Sequence, residues 1–468
     1  MASTLRARVR GSAALAALGI ACTLVLSSCA SANDSSASSS GSAATEAKKS
    51  ALPAGLVKAA LAQAKTAAGG ADLKGETVDV LGIVAGDEAK QLTDAMQPFE
   101  DATGVKIKYT GSQDQATVLA AGVKSGNAPD VVDAQGAGLA MQYAKSGDAV
   151  PLDDIVGTAA LKRDYNQGLL DAVSYNGKTY GLWGETDTFQ IWYAPKTYTG
   201  PTTGSWQQLT AWADAQAKKN DGNAPWCMAM EAGAGSGFPG QSWIENVFVK
   251  KYGAAKLADW ASGELAWTSP EVTWAWKEFG KVAASDTLVS GGPQAVVSTS
   301  AFSYSKGMYT QPQRCQLTLW GNYAGSIIQG IYPKVTIPDD LDFFTVPASD
   351  PAYSGDLDVT GHVTFAMNQD PATTAFLKYW ETAAAQSLVA ASGNWTLGNK
   401  NVPLSAYPNV AMKQSAQLLQ SATTLIPGPA GTVGSATNSA YNAGIMSYIQ
   451  DPGKLSSILQ TIQKTAGE

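Results

Sequence analysis

The sequence has 468 residues, of which 45% are hydrophobic and 15% charged, enough chain for more than one packed core and too apolar for global disorder. Its 32 basic residues fall short of its 39 acidic ones, leaving a formal net charge of −7. With no cationic excess to neutralise phosphates, the balance argues against a nucleic-acid partner and suits a soluble extracytoplasmic protein.

In chain order, Arg6, Arg8 and Arg10 precede an apolar stretch from Ala13 to Leu26. That stretch is too short to span a bilayer comfortably and reads as the hydrophobic region of an export signal behind its basic segment. It ends in Leu26-Ser27-Ser28-Cys29, which resembles the bacterial lipobox. The resemblance implies a signal peptide over 1–28 and a diacylglycerol on Cys29, which would hold the chain at the cell membrane. Ser, Ala and Gly dominate from Ala30 to about Ala44 with no apolar period, the composition of a flexible tether. A weak helical pattern from Leu56 to Ala68 is assigned to the same stalk, so the tether is expected over 29–75 and the folded part from Glu76.

The segment Thr77 to Val84 is β-branched and half alternating, and Ala89 to Phe99 has helical spacing with Leu92, Met96 and Phe99 on one face. Val105 to Tyr109 alternates, Asp114 to Ser125 reads as a second helix, and Asp130 to Val132 as a short apolar strand. Strands alternating with helices predict a mainly parallel α/β sheet, in which ligands bind beyond the carboxyl ends of the strands. The loops after Val84 and Val132 are therefore the first places to look. Beyond them, Tyr180 to Tyr193 reads as a strand or crossing segment. Helices are expected at Trp206 to Lys218, opened by Ser205, at Ser242 to Tyr252 and at Trp274 to Val282. Gln316 to Ile328 is expected to begin as a loop and become helix. Thr360 to Met367 alternates as a strand, and Ala372 to Val389 and Leu455 to Lys464 are amphipathic helices. No fixed-period repeat is visible.

Of four cysteines, Cys22 leaves with the signal and Cys29 carries lipid, so Cys227 and Cys315 remain as one possible pair, oxidised outside the cytoplasm or standing as two separate buried thiols. No H-E-x-x-H, C-x-x-C or Walker sequence occurs, and the single histidine, His362, cannot form a zinc cluster alone. No cofactor and no metal are expected.

The run Phe99-Glu100-Asp101-Ala102-Thr103-Gly104-Val105-Lys106-Ile107 is similar to a motif of the extracellular solute-binding proteins (family 1) of ABC sugar importers. Gly126-Asn127-Ala128-Pro129-Asp130-Val131-Val132 resembles the next motif of that family, and Gly177-Lys178-Thr179-Tyr180-Gly181 through Trp192-Tyr193 resembles its interlobe segment. A narrower resemblance is to the α-glucoside-binding branch. It rests on Ala224-Pro225-Trp226-Cys227, Glu231-Ala232-Gly233-Ala234, Gly237-Phe238-Pro239-Gly240, Trp243-Ile244-Glu245 and Cys315. The sequence departs from that branch at Ser242, where an acidic residue is usual, and at His362, where an Asp is usual.

The resemblance implies a periplasmic-binding-protein-like α/β fold of two lobes built from discontinuous segments. Lobe one is expected at 76–188 with 350–403 and lobe two at 189–349 with 404–468, closing on a ligand by a hinge. It implies capture of a small carbohydrate for ABC permease subunits in the membrane, by a monomer without enzymatic activity. Pyranose hydroxyls need carboxylates and amides, and the apolar sugar faces need aromatic rings. Lobe one and the interlobe segment are expected to supply Asp87, Glu88, Gln135, Asp187 and His362. Glu231, Trp243, Trp320 and Tyr323 are expected from lobe two, with Tyr323 the first choice for stacking, and Trp395 and Tyr441 are further aromatic candidates. Each of these residues has a plainer alternative as a helix cap, a solvated loop residue or a core ring.

Two other functions are open to such a chain. A glycosidase would need paired carboxylates about 5 to 10 Å apart across the scissile bond, for which Glu185 and Asp187 are a candidate pair. A sensor subunit would present the same closed state to a membrane receptor.

Overall fold

The computed structural model describes residues 52–219 and 221–466. The export signal, Cys22, Cys29 and the Ser-rich stretch after it lie outside the described residues. Of the stretch expected as stalk, the helical part differs from expectation. Helix α1, Ala54–Ala68, buries Ala60 and Ala64 completely and joins the core of the first lobe. Small residues on one side let α1 lie close against its neighbours, so the folded body begins at Ala54 rather than near Glu76.

Strand β1, Thr77–Gly82, pairs in parallel with β2, Lys106–Gly111, and with β3, Val131–Gln135, so that Val80 stands opposite both Tyr109 and Val131. Helix α2, Gly86–Thr103, connects β1 to β2 and buries Leu92, Ala95, Met96 and Phe99, the i, i+3, i+4, i+7 stripe that a helix against a sheet requires. Phe99 stacks on Tyr379 at 5.5 Å and meets Phe376 edge-on at 5.6 Å. Burial of such a ring contributes about 2–3 kcal/mol. Gly104 ends α2 with φ 77°, a left-handed cap that glycine adopts without a Cβ penalty.

Among the described residues nine strands form one sheet, in the order β2-β1-β3-β8-β4-β6-β5, with β9 on β8 and β7 on β4. Here β4 is Leu182–Tyr193, β5 Ala224–Trp226, β6 Cys315–Gly321, β7 Asp342–Thr345, β8 Asp356–Ala366 and β9 Thr424–Pro427. The long strand β4 passes between two cores, with Leu182 and Trp183 in the first and Phe189 and Ile191 in the second. The second core is rich in indoles, with Trp226, Trp243, Trp260, Trp267 and Trp276 all at 2% exposure or less. Met412, Leu419 and Leu425 pack in the first core. The segment 404–427, expected in lobe two, thus contributes side chains to the first core, while Ala411 packs with Trp192 and Trp320 and Ile426 packs against the second core.

The segment Gln316 to Ile328 also differs from expectation. All seven residues of β6 are buried, so its polar members, Gln316 and Thr318, face protein on both sides and erase the alternation that marks a half-exposed strand. Cys227 and Cys315 are disulfide-bonded with their Cα atoms 5.2 Å apart, clamping the parallel neighbours β5 and β6.

Candidate functional site

The crossing strands bring four ionisable side chains together. Glu185 and Asp187 are two residues apart on β4 and so share one face. On β8, Thr364 pairs with Asp133 of β3, while Thr360 pairs with Asp187. The β4–β8 register shifts between Gly361 and Val363, and such a bulge re-aims the side chain beside it. Gly361 has φ 146°, and a side-chain carbon there would lie 2.0 Å from the Glu185 carbonyl oxygen, so the close approach of the strands requires glycine. His362, 6% exposed, is aimed between two acids. Its Nδ1 lies 3.4 Å from Asp133 Oδ2 and its Nε2 3.2 Å from Glu185 Oε2.

Burial by itself would lower the basicity of His362, but Glu185 and Asp133 on either side overcome it and raise the pKa to about 9. The imidazolium is therefore the favoured form at neutral pH, with one nitrogen facing each carboxylate. Glu185 is pushed up to about 7 by burial, with His362 opposing the shift and Asp133 and Glu88 adding to it. Asp187 is raised well above the carboxylate range, by burial first and then by Glu185.

Asp187 faces the second lobe. Its Oδ1 is buried without a hydrogen-bond partner among protein atoms, and so is Oδ1 of Asn322. Asn322 donates to Thr396 Oγ1 at 2.5 Å, and that hydroxyl donates to the Thr186 carbonyl at 2.7 Å. Next along the chain, Tyr323 lies within electrostatic reach of Asp187 and Glu185, whose charges add to burial in pushing its phenol upward. Its ring lies over Gly321, where a side-chain carbon would come within 2.4 Å of it. On the first-lobe side, Trp395 sits edge-on to His362 at 5.6 Å, and its indole N–H donates to Gln91 Oε1 at 2.5 Å. A small cavity of about 20 Å³, lined in part by Asp133, Glu185, His362 and Trp395, borders the cluster. Among the described residues no group of three or more His, Cys, Asp or Glu is arranged to hold a metal ion.

The structure thus brings Asp187, Tyr323, His362 and Trp395 together. Glu88, exposed in the first turn of α2 beside the equally exposed Asp87, adds its charge to the same cluster. Gln135 is exposed, stands opposite His362 in the β3–β8 register and donates to the Gly361 carbonyl at 3.2 Å. Glu231 is half-buried, and its Oε1 accepts from Gly233 N at 2.9 Å, closing a turn. Trp320 is 4% exposed and stacks on Tyr304 at 4.3 Å, with Phe238 edge-on at 5.7 Å.

Two of the expected residues stand apart from this cluster. Trp243, 2% exposed, is locked edge-on against Trp226 at 4.7 Å, and Tyr441, fully buried, packs on Trp267 at 4.8 Å. Both are rings of the second core, because the glycine-rich turn before Trp243 feeds directly into a buried helix. Four residues of the cluster did not come from the sequence as binding candidates: Asp133, Glu185, Gln91 and Asn322. A signal existed for two of them. Asp133 follows the Asp130–Val132 strand directly, and Glu185 shares a strand face with Asp187.

Comparison with known proteins gives a consistent placement. A family model described as bacterial extracellular solute-binding protein matches residues 84–387. The osmoprotective compounds-binding protein GgtB of Synechocystis sp. is 25% identical over 399 residues, 83% of this chain and 92% of that one. The alpha-glucosides-binding periplasmic protein AglE of Rhizobium meliloti is 29% identical over 384 residues, 77% of this chain and 82% of that one. Among solved structures, a chitin oligosaccharide binding protein superposes with a TM-score of 0.66 at 19% identity, covering 84% of this chain and 98% of that one, a likeness of fold.

Proposed function

Because the chain belongs to the bacterial extracellular solute-binding proteins, a family of binding proteins and not of enzymes, we propose that it captures a small carbohydrate between its lobes and delivers it to an ABC permease. The α-glucosides and related di- or oligosaccharides are the favoured class, in keeping with the similarity to AglE. The observation that carries this reading is the pair of buried acceptors without protein partners, Asp187 Oδ1 and Asn322 Oδ1, beside the Tyr323 ring. Buried polar atoms without partners are rare in folded proteins. Sugar hydroxyls supply the donors these oxygens lack, and a pyranose face suits an aromatic wall.

The ligand would first bind His362 and the carboxylates of lobe one, and Tyr323 and Asn322 would complete the site as lobe two closes. It shifts the open-to-closed balance only by its differential affinity for the two states. Glu185 and Asp187 lie on one face of one strand, whereas a glycosidase needs its two carboxyl groups on opposite sides of the bond it cleaves. The lipid on Cys29 and the monomeric state belong to the same proposal: an extracytoplasmic protein tethered to the membrane beside its permease. The Cys227–Cys315 bond, an oxidised pair in that compartment, would preorganise the second-lobe wall.

A thermal-shift panel of mono-, di- and oligosaccharides, run on the protein without its export signal and Cys29, tests the reading. One carbohydrate class should raise the melting temperature by mass action and be recovered uncleaved. No shift with any carbohydrate would refute sugar capture, and cleavage of the sugar would refute a pure binding role.

A further inference from the structure

A second pair of buried carboxylates lies away from the cleft, at the junction of the lobes. Glu245 belongs to the long second-lobe helix, Phe238–Ser262, and is fully buried. Asp358, 1% exposed, belongs to β8, which runs into the first core. Both converge on Gly428, where the chain leaves β9. A side-chain carbon at Gly428 would lie 2.3 Å from Glu245 Oε2 and 3.0 Å from Asp358 Oδ1. The backbone of this crossing point is tied to both acids: Gly428 N donates to Asp358 Oδ1 at 3.0 Å and Ala430 N to Glu245 Oε1 at 2.9 Å. Asn246 Nδ2 donates to Asp358 Oδ2 at 3.1 Å, and Glu245 Oε2, near the Tyr441 phenol, meets no hydrogen-bond geometry among the described residues.

Among the described residues no cation is seen to compensate this pair. The groups facing it are the Tyr441 phenol, from the helix Ser435–Gln450, and the Asn246 amide. One turn further along its helix, Lys250 spends its ammonium on the carbonyls of Ser354 and Asp356, each at 2.7 Å. Asp356 in turn accepts from Ala254 N at 2.9 Å. Two carboxylates this close in a sealed site cannot both be charged without a large electrostatic penalty.

We propose that Glu245 and Asp358 retain a proton between them and act as a pH-sensitive latch at the lobe junction, holding the second-lobe helix on the crossing strands until alkaline loss of that proton loosens the junction and opens the cleft. The latch depends on the two-lobed fold and not on which ligand the cleft takes. Burial raises Asp358 to about 8 and Glu245 well above the carboxylate range, the latter further raised by Asp358. The folded protein therefore keeps protons that the unfolded chain releases near pH 4, and stability falls as pH rises from there toward 8. Lys250, lowered to about 8 by burial, acts with the opposite sign and only above that range.

The test uses the protein lacking only its export signal and Cys29. Melting temperature is read at pH 5.5 and 8, and the radius of gyration by small-angle scattering at pH 5.5 and 9. E245Q keeps an acceptor for Ala430 N and removes the titration of Glu245, leaving only that of Asp358. Its loss of melting temperature between pH 5.5 and 8 should be smaller than the wild type's by roughly 2 °C or more. Its radius of gyration should increase less with pH than that of the wild type, because one titrating acid is left in place of two. The cleft acids contribute equally to both proteins and cancel in the difference. Parallel melting curves for E245Q and wild type would overturn the latch. So would a wild-type radius of gyration that is the same at both pH values, a reading that needs no variant. Should E245Q not fold, D358N is read in the same way.

Discussion

The molecule holds two groups of buried carboxylates that each meet strand β8, one at His362 and one at Asp358, and they have opposite solutions to the same desolvation problem. In the cleft, His362 stands between Asp133 and Glu185, so the acids are compensated by a cation and a neighbouring acceptor, Asp187 Oδ1, is left for a ligand. At the junction, Glu245 and Asp358 meet only amides, backbone N–H groups and a phenol, and they suppress charge instead of balancing it. A counter-ion makes a buried acid available for recognition. Its absence makes the acid a proton store.

The largest expected effect is from removing the counter-ion. H362A leaves Asp133 and Glu185 facing each other without a cation and should cost about 3–5 kcal/mol of stability at pH 7, read from urea unfolding. A loss under about 1 kcal/mol would mean that the cleft acids suppress charge as the junction pair does, and the contrast would collapse. Next comes D187N, which keeps the shape and replaces a buried acid whose pKa is raised well above the carboxylate range. Carbohydrate affinity should fall roughly fivefold, the loss of one neutral hydrogen bond of about 1 kcal/mol, with stability unchanged or higher. Calorimetric titration beside a melting curve separates the two.

The contrast sharpens with pH. The pKa of His362, raised to about 9, means that its stabilisation is complete below about 6.5, the value for an unfolded chain, and is lost as pH rises through 9. The urea midpoint of the wild type should therefore drop between pH 6.5 and 9.5, and H362A should lose that part of the drop. The smallest effect is expected from D87N. Its carboxylate is exposed at the start of α2, outside both buried groups, so melting temperature should be unchanged and affinity altered by less than about twofold. A larger loss of affinity would extend the site to the rim of lobe one.

Much of the first lobe was legible from pattern alone. The β1–α2–β2 order follows from apolar periods of two and of 3.6, because one face of each element meets solvent. The second lobe was less legible. β6 is buried on both sides and shows no alternation, and that 404–427 contributes side chains to the first core is a matter of tertiary packing. The helix α1 read as stalk because alanines pack tightly without looking hydrophobic enough to announce a core.

The site divides in the same way. Asp187, Tyr323 and His362 were readable because motifs set their place on the crossing strands and on the turn after Cys315. Glu185 was visible only as half of a rival catalytic pair, and Trp243 and Tyr441 stand among the rings of the second core. From the sequence by itself came the compartment, the α/β class, the family and the kind of side chain a sugar site needs. Which carboxylates share a counter-ion and which share a proton was decided by tertiary structure alone. The reason is physical: a pKa depends on burial and on neighbours a few ångströms away, and here those neighbours are far apart in the chain, Asp133 from His362 and Glu245 from Asp358.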